Sequence, residues 1–214
     1  MSGYEVARLE EIEEIDDGRE PYRPVRHHLG ITAFGITSWT GKKAGDRIIN
    51  EHAEDQPGDS EELYVVVSGH ARFEVGGDTV DAPEGTLVFV AVGPHRRTAY
   101  AEEDGTTVLA IGAPPGQAYE ATGWELWMPL GRLYAAGDYE GVIEQGRELI
   151  EANPQYALPL YNLACCEALA GRKEDATQHL RAAIERWPRA RELARTDSDL
   201  DSLRNDPAFE ELVA

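Results

Sequence analysis

The sequence has little sulfur, little basic charge and no long apolar run. Its two cysteines, Cys165 and Cys166, are adjacent, so a framework of disulfides is not open to it. A reducing cytoplasm is the expected setting. The longest apolar runs, such as Leu63 to Val67 and Leu87 to Val92, fall far short of the roughly 20 residues that cross a membrane as a helix. Met1 to Asp17 carries seven acidic residues and no apolar core segment, which reads against a secretory signal. Lys and Arg number 20 against 40 Asp and Glu, for a formal charge of -20. Nucleic acid and anionic membranes are bound by clustered cations, so neither is expected as a partner. The acidic excess is spread over both halves and serves solubility first. Also missing are a Ser-His-Asp spacing, a phosphate-binding glycine loop and a Cys-x-x-Cys pair.

What is present suits two globular domains. Apolar residues make up 42% of the 214, enough for ordinary cores, and the length accommodates two units of about 100 residues each. From Thr32 to about Ile111 the pattern is one of short strands. Glu62 to Val67 is β-branched and aromatic, and Ala71, Phe73 and Val75 alternate onto one face. Gly76-Gly77 then predicts a tight hairpin turn, and Pro83-Glu-Gly85 another. Such spacing predicts an antiparallel sandwich or barrel. Leu9 to Ile15 reads equally as a short helix or a first edge strand.

Near Ala113-Pro-Pro-Gly116 the period changes, and stretches rich in Glu, Leu, Ala and Arg follow. The expected division is a barrel over 1–112 with an extension at 1–20, a linker over 113–122, and a helical domain over 123–214. That last part repeats itself. Shifted by 34 residues, Leu126 meets Leu160, Ala136 meets Ala170, Gly137 meets Gly171, Ile150 meets Ile184 and Pro154 meets Pro188. Helix, glycine turn, helix and proline at that period resemble the tetratricopeptide repeat (TPR), most fully in Tyr161 to Pro188. The earlier copy departs from the family, with Val142, Gly146 and Leu149 where Ala, a large aromatic and Ala are usual. Ser198 to Leu203 and Pro207 to Phe209 read as a terminal cap. So short an array is expected to lean on the barrel, with Trp124 and Trp127 as the candidate contacts. The resemblance implies a groove for a protein or peptide segment, with Asn162 where the family often presents an Asn to a bound backbone. A helical pack that only steadies the barrel or a homodimer is the other reading. Cys165 and Cys166 read as small buried helix residues.

Within residues 30–112, Gly45, His52, Glu62, Gly69, Gly85 and His95 resemble the two cupin motifs; Gly69 follows Glu62 at the family's spacing of seven. The expected fold is therefore multidomain α+β: an antiparallel double-stranded β-helix, the cupin or jelly-roll barrel, followed by a TPR-like array. By period two, Ile48, Asn50 and His52 share a face, which puts Asn50 where the family has the first His of a pair. The family's later Asn is missing, and Gln56 to Ser60 lengthens the loop before Glu62. The resemblance implies a divalent transition metal (Fe, Mn, Ni or Zn) on His52, Glu62 and His95, in a pocket lined by Asn50, Tyr64 and Arg96. The incomplete set equally suits a barrel that has lost its metal. Arg96-Arg97, beside His95, reads as an anion-attracting pair at the mouth or as an ordinary surface salt bridge. No catalytic residue is assigned. The expectation is a non-enzymatic binding or scaffold protein, the alternative a metal-dependent oxygenase or isomerase acting on a small polar substrate.

Overall fold

The structure, a computed structural model, describes residues 6–56 and 58–214; residues 1–5 of the extension and Pro57 lie outside them. Contacts divide the chain into Met1–Ala121 and Thr122–Ala214.

The first unit contains β1 (Tyr22–Arg23), α1 (Val25–Leu29), β2 (Gly35–Gly41), β3 (Arg47–Glu54), β4 (Glu61–Ser68) and β5 (His70–Val75). Then come β6 (Asp78–Pro83), β7 (Leu87–Val90), β8 (Gly93–Ala101) and β9 (Thr106–Ala113). They form two antiparallel sheets, ordered β1-β2-β9-β4-β7 and β3-β8-β5-β6. The pairings are nested: β2 with β9, β3 with β8, β4 with β7, β5 with β6. Successive pairs alternate between the sheets, which is the winding of a jelly roll, the double-sheet architecture that cupins share. Before it, Leu9–Glu11 makes one 3-10 turn and Ile15 bridges to Tyr22, so the undecided segment is a little of both.

Between the sheets lie Ile48, Tyr64, Val66, Ala71, Phe73, Ala82, Val88, Val90, Ala99, Ala101 and Val108. Ala71 and Phe73 are buried on one face of β5, and its hairpin with β6 turns at Gly76-Gly77 as expected. Gly69 links β4 to β5 at φ 73, where a Cβ would sit 2.6 Å from Thr106 Oγ1 and 2.9 Å from Thr106 Cα. Both the backbone sign and the crowding require glycine there. On β3 the expected alternation fails. Ile48 and Ile49 are both buried and Asn50 is exposed, because the ladder with β8 changes register on either side of Ile49. A bulge of this kind re-aims every side chain beyond it.

The second unit opens on a capping box in which Thr122 and Glu125 satisfy each other's backbone N–H. It contains α2 (Gly123–Trp127), α3 (Gly131–Ala135), α4 (Tyr139–Ala152), α5 (Ala157–Leu169) and α6 (Lys173–Arg186). The helix limits repeat at 34 residues: 123–135 recurs as 157–169, and 139–152 as 173–186. Only the earlier copy of the first helix is broken, into α2, a 3-10 turn at Met128–Leu130, and α3. Pro129 stands there where Leu163 continues α5, and proline has no N–H to give the ladder. Gly137 and Gly171 both turn at positive φ (73 and 78). After α7 (Ala190–Ala194), a 3-10 segment (Ser198–Leu203) and α8 (Pro207–Val213) bury Leu200, Leu203, Phe209 and Leu212 among Leu160, Leu180 and Ile184. The terminal segment therefore packs against the last helix pair.

Within the helical unit Trp127 packs among Val142, Ile143, Leu163 and Cys166. A Cβ on Gly146 would lie 2.9 Å from Trp127 Cη2, so the indole fills the space that an aromatic at 146 would take. Among the described residues no helix is long and apolar enough to cross a membrane.

Candidate functional site

β4 turns Glu62, Tyr64 and Val66 to the interior by its period of two. On β8, Ala99 and Ala101 are inward and fully buried, and the same alternation takes Arg97 inward with them; its side chain is 0% exposed. Past the bulge, β3 sets His52 opposite Arg97. These strands bring one carboxylate oxygen, Glu62 Oε2, against four polar atoms. Arg97 gives it Nε at 3.0 Å and also Nη2, Tyr64 gives its hydroxyl, and His52 Nε2 lies 3.3 Å away. Arg97 Nε also reaches the Tyr64 oxygen at 3.3 Å. His52 Nδ1 is 2.7 Å from the Asn50 carbonyl oxygen, which can only accept, so that nitrogen carries a proton.

Glu54, at the end of β3, completes the cluster. Its Oε1 is 4.0 Å from His52 Nε2 and 3.7 Å from Arg97 Nη2. The two carboxyls sit in opposite regimes. Burial pushes Glu62 up, but the hydrogen bond from His52, the charge of Arg97 and the Tyr64 hydroxyl bring it down to about 2. Burial, then the charges of Glu62 and Asp59, raise Glu54 to about 7, against the pull of Arg97 and His52. Burial and the neighbouring Glu62 also hold the Tyr64 phenol protonated well past its ordinary range. At neutral pH the cluster thus holds a fixed ion pair, Glu62 with Arg97, beside a carboxyl poised to exchange its proton.

Three of the expected residues meet here: His52, Glu62 and Tyr64. The others do not. His95 is exposed at the start of β8, its ring beside Gly76 and Gly93. Asn50 offers only its backbone oxygen, its side chain being turned out by the bulge. Arg96 points away from the interior and pairs with Glu51 at 2.8 Å, both well exposed. Sequence reasoning missed Arg97 and Glu54. Alternation back from Ala99 was the available signal for Arg97; for Glu54 the register shifts between His52 and Glu54 hide it. Asn162 is half-buried on α5.

One ligand atom from each of His52, Glu54 and Glu62 can be chosen so that all lie within 4.8 Å of one another. That spacing suits a divalent ion, yet the set does not fit one held tightly. Arg97 brings a permanent cation against Glu62 and within 3.7 Å of Glu54, so it already neutralises the charge a metal would use. The Glu62 oxygen nearest the ring is spoken for by Arg97 and Tyr64 as well.

A second group, Cys165, Asp197 and Asp199, lies in the helical unit. Asp197 caps the 3-10 segment by accepting from Asp199 N at 3.1 Å, and Tyr161 donates to it at 2.8 Å. Burial, then Asp197 and Asp199, raise the Cys165 thiol well above its usual range, and burial takes Cys166 to about 12. Thiols held protonated in this way are poor nucleophiles and poor ligands.

Comparison with known proteins adds likeness at the level of fold. No protein-family model matches the chain, and no curated protein does. Solved cupin structures resemble the amino-terminal 55% or so. A cupin protein from Bacteroides fragilis is 17% identical over 57% of this chain and 93% of its own, with a TM-score of 0.42. An RmlC-like cupin protein from Desulfovibrio desulfuricans is 25% identical over 52% and 97%, at 0.40. A predicted oxalate decarboxylase from Thermotoga maritima is 16% identical over 51% and 99%, also at 0.40. The chain is thus a cupin-like antiparallel β-sandwich followed by a helical region, on the strength of its own nested strand pairing.

Proposed function

We propose that the chain is a binding protein of two modules. The barrel holds a small polar ligand at the His52–Glu54–Arg97 cluster without a metal ion, and the TPR-like helices dock a protein or peptide segment, in a reducing cytoplasm. The observation that carries the first half is the crowding on Glu62 Oε2, where Arg97, Tyr64 and His52 converge. A guanidinium in that position does electrostatically what a bound cation would do, and takes up the Glu62 charge that would hold one. Elemental analysis of the purified protein tests this. The expected result is far less than one equivalent of Fe, Mn, Ni or Zn. Near-stoichiometric metal that disappears in His52→Ala overturns it.

The second half rests on helix limits that recur at 34 residues, a period that leaves each helix pair needing a neighbour on its open face. Sedimentation of the full chain separates the two occupants of the helical surface: a monomer favours a foreign segment, a dimer a second copy. A second reading of the barrel, a metal-dependent oxygenase or isomerase acting on a small polar substrate, is favoured by the closeness of His52, Glu54 and Glu62. The same metal analysis decides it.

A further inference from the structure

We propose that the outer face of the five-stranded sheet is the surface on which a second copy of this chain docks. This surface involves neither the polar cluster of the barrel nor the helices. The strand register sets two rows of side chains straight across the face. One row is Ile36, Ile111, Leu63 and Phe89; the other is Ser38, Leu109, Val65 and Leu87. The positions between them, such as Tyr64, Val88 and Val108, belong to the core, so both rows point outward by the period of two. On β2, β9 and β4 the apolar members are half-buried between their neighbours. On the edge strand β7, Leu87 and Phe89 stand open, at 63% and 59% exposed.

An antiparallel strand with water on one side alternates apolar and polar residues. Leu63 to Val67 and Leu87 to Val90 instead have an apolar or aromatic residue at every position, the pattern of strands covered on both faces. Nor does β7 carry the charge, proline or bulge that guards an open edge. Charge selects the occupant. Neither row holds a charged side chain, although the chain as a whole carries -20. A basic partner is drawn to the acidic surface elsewhere, and an acidic one finds no cation here. A second copy satisfies the condition of an isologous contact, the same patch on both sides. Any two-fold axis lying between two such faces sets uncharged side chains against uncharged ones, and sheet faces pack in this way about 10 Å apart. Four strands make a face only about 14 Å across between the outer strand axes. That is the apolar centre of a contact smaller than the roughly 800 Å² per partner of a tight complex, so the dimer is expected to be of micromolar strength.

Sedimentation equilibrium of the full-length protein, from low micromolar to several hundred micromolar, tests the assignment. The expected result is a monomer–dimer equilibrium that tightens with added salt, because screening relieves the repulsion between two acidic chains. Phe89→Glu and Leu87→Glu each place a charge at an exposed position, and each should raise the dissociation constant at least about thirtyfold. Both variants should unfold close to the temperature of the unmodified protein. Leu193→Glu, at an exposed leucine of α7, should leave the dimer as it is. A second readout needs no variant: the methyl groups of Leu63 and Val65 should be shielded from a soluble paramagnetic probe at high protein concentration and lose that shielding on dilution. A chain that stays monomeric throughout overturns the proposal. So does a dimer that salt weakens, that survives both glutamates, that Leu193→Glu also disperses, or that leaves those methyl groups open to the probe.

Discussion

The two units each bury an ion pair, and they do it in opposite ways. In the helical unit the buried member is an acid. Glu167 of α5, 0% exposed, is met by Arg147 of α4 and His179 of α6, each at 2.7 Å, and Arg147 goes on to Asp175 at 2.7 Å. Both partners are partly exposed, so each can turn to water if Glu167 is lost. In the barrel the buried member is the cation. Arg97 cannot reach water, and one of its nitrogens is unmet. A fully satisfied buried pair joins three helices and has nothing left to offer. One with a spare donor is a place where something else can bind.

The largest expected effect follows from breaking the barrel pair. Arg97→Met leaves the mostly buried Glu62 without its cation, and thermal unfolding should show a loss of about 3 kcal/mol. A change near zero would mean that Glu62 rearranges to solvent and that the pair is not what fixes the cluster.

A second effect is sharper in pH than in size. Glu54, raised from 4.5 to about 7, contributes stability that is complete below about 4.5 and is lost as pH rises through 7. Glu62, lowered from 4.5 to about 2, works the other way, contributing above 4.5 and losing its share as pH falls toward 2. The unfolding temperature of the unmodified protein should therefore fall relative to Glu54→Gln between pH 4.5 and pH 8. Parallel curves would show that Glu54 is solvated like an ordinary surface acid.

The smallest effect belongs to the helices. Glu167→Ala removes the shared acceptor but frees two side chains that reach solvent, so the cost should be about 1–2 kcal/mol by denaturant unfolding. A loss as large as that of Arg97→Met would erase the distinction between the two pairs.

How much of this was legible in the sequence differs between the units for a physical reason. Helical spacing is local, so a 34-residue shift of the letters aligned two copies whose helix limits recur at that period, and only the break at Pro129 departs from the pattern. The apolar spacing of Leu200, Leu203 and Phe209, which are buried among the preceding helices, is local in the same way. In the barrel, β5 with Phe73 and the turn at Gly76-Gly77 were readable from alternation and turn residues. The site was legible only in part: His52, Glu62 and Tyr64 were named, while the register shifts of β3 turn Asn50 outward and bring in Glu54. A bulge leaves no mark in the letters when the residues around it, Ile48 and Ile49, are both apolar. The place of Trp127 beside Gly146 is a long-range fit between two helices, not a period, and has no such mark.

The nesting of the strands also orders the assembly of the barrel. The innermost pair, β5 with β6, needs only a two-residue turn, whereas the outermost, β2 with β9, joins Ile36 to Ile111. Loop-closure entropy grows outward through the nest, so the route of least cost zips from the central hairpin toward the ends of the domain. Glu62 and Arg97 lie in the middle layers of that sequence, and Glu62 belongs to a strand clasped by β7 on one side and β9 on the other. The polar cluster is therefore complete only late in that order, so a chain caught early would hold its central hairpin without the contact of Glu62 with Arg97.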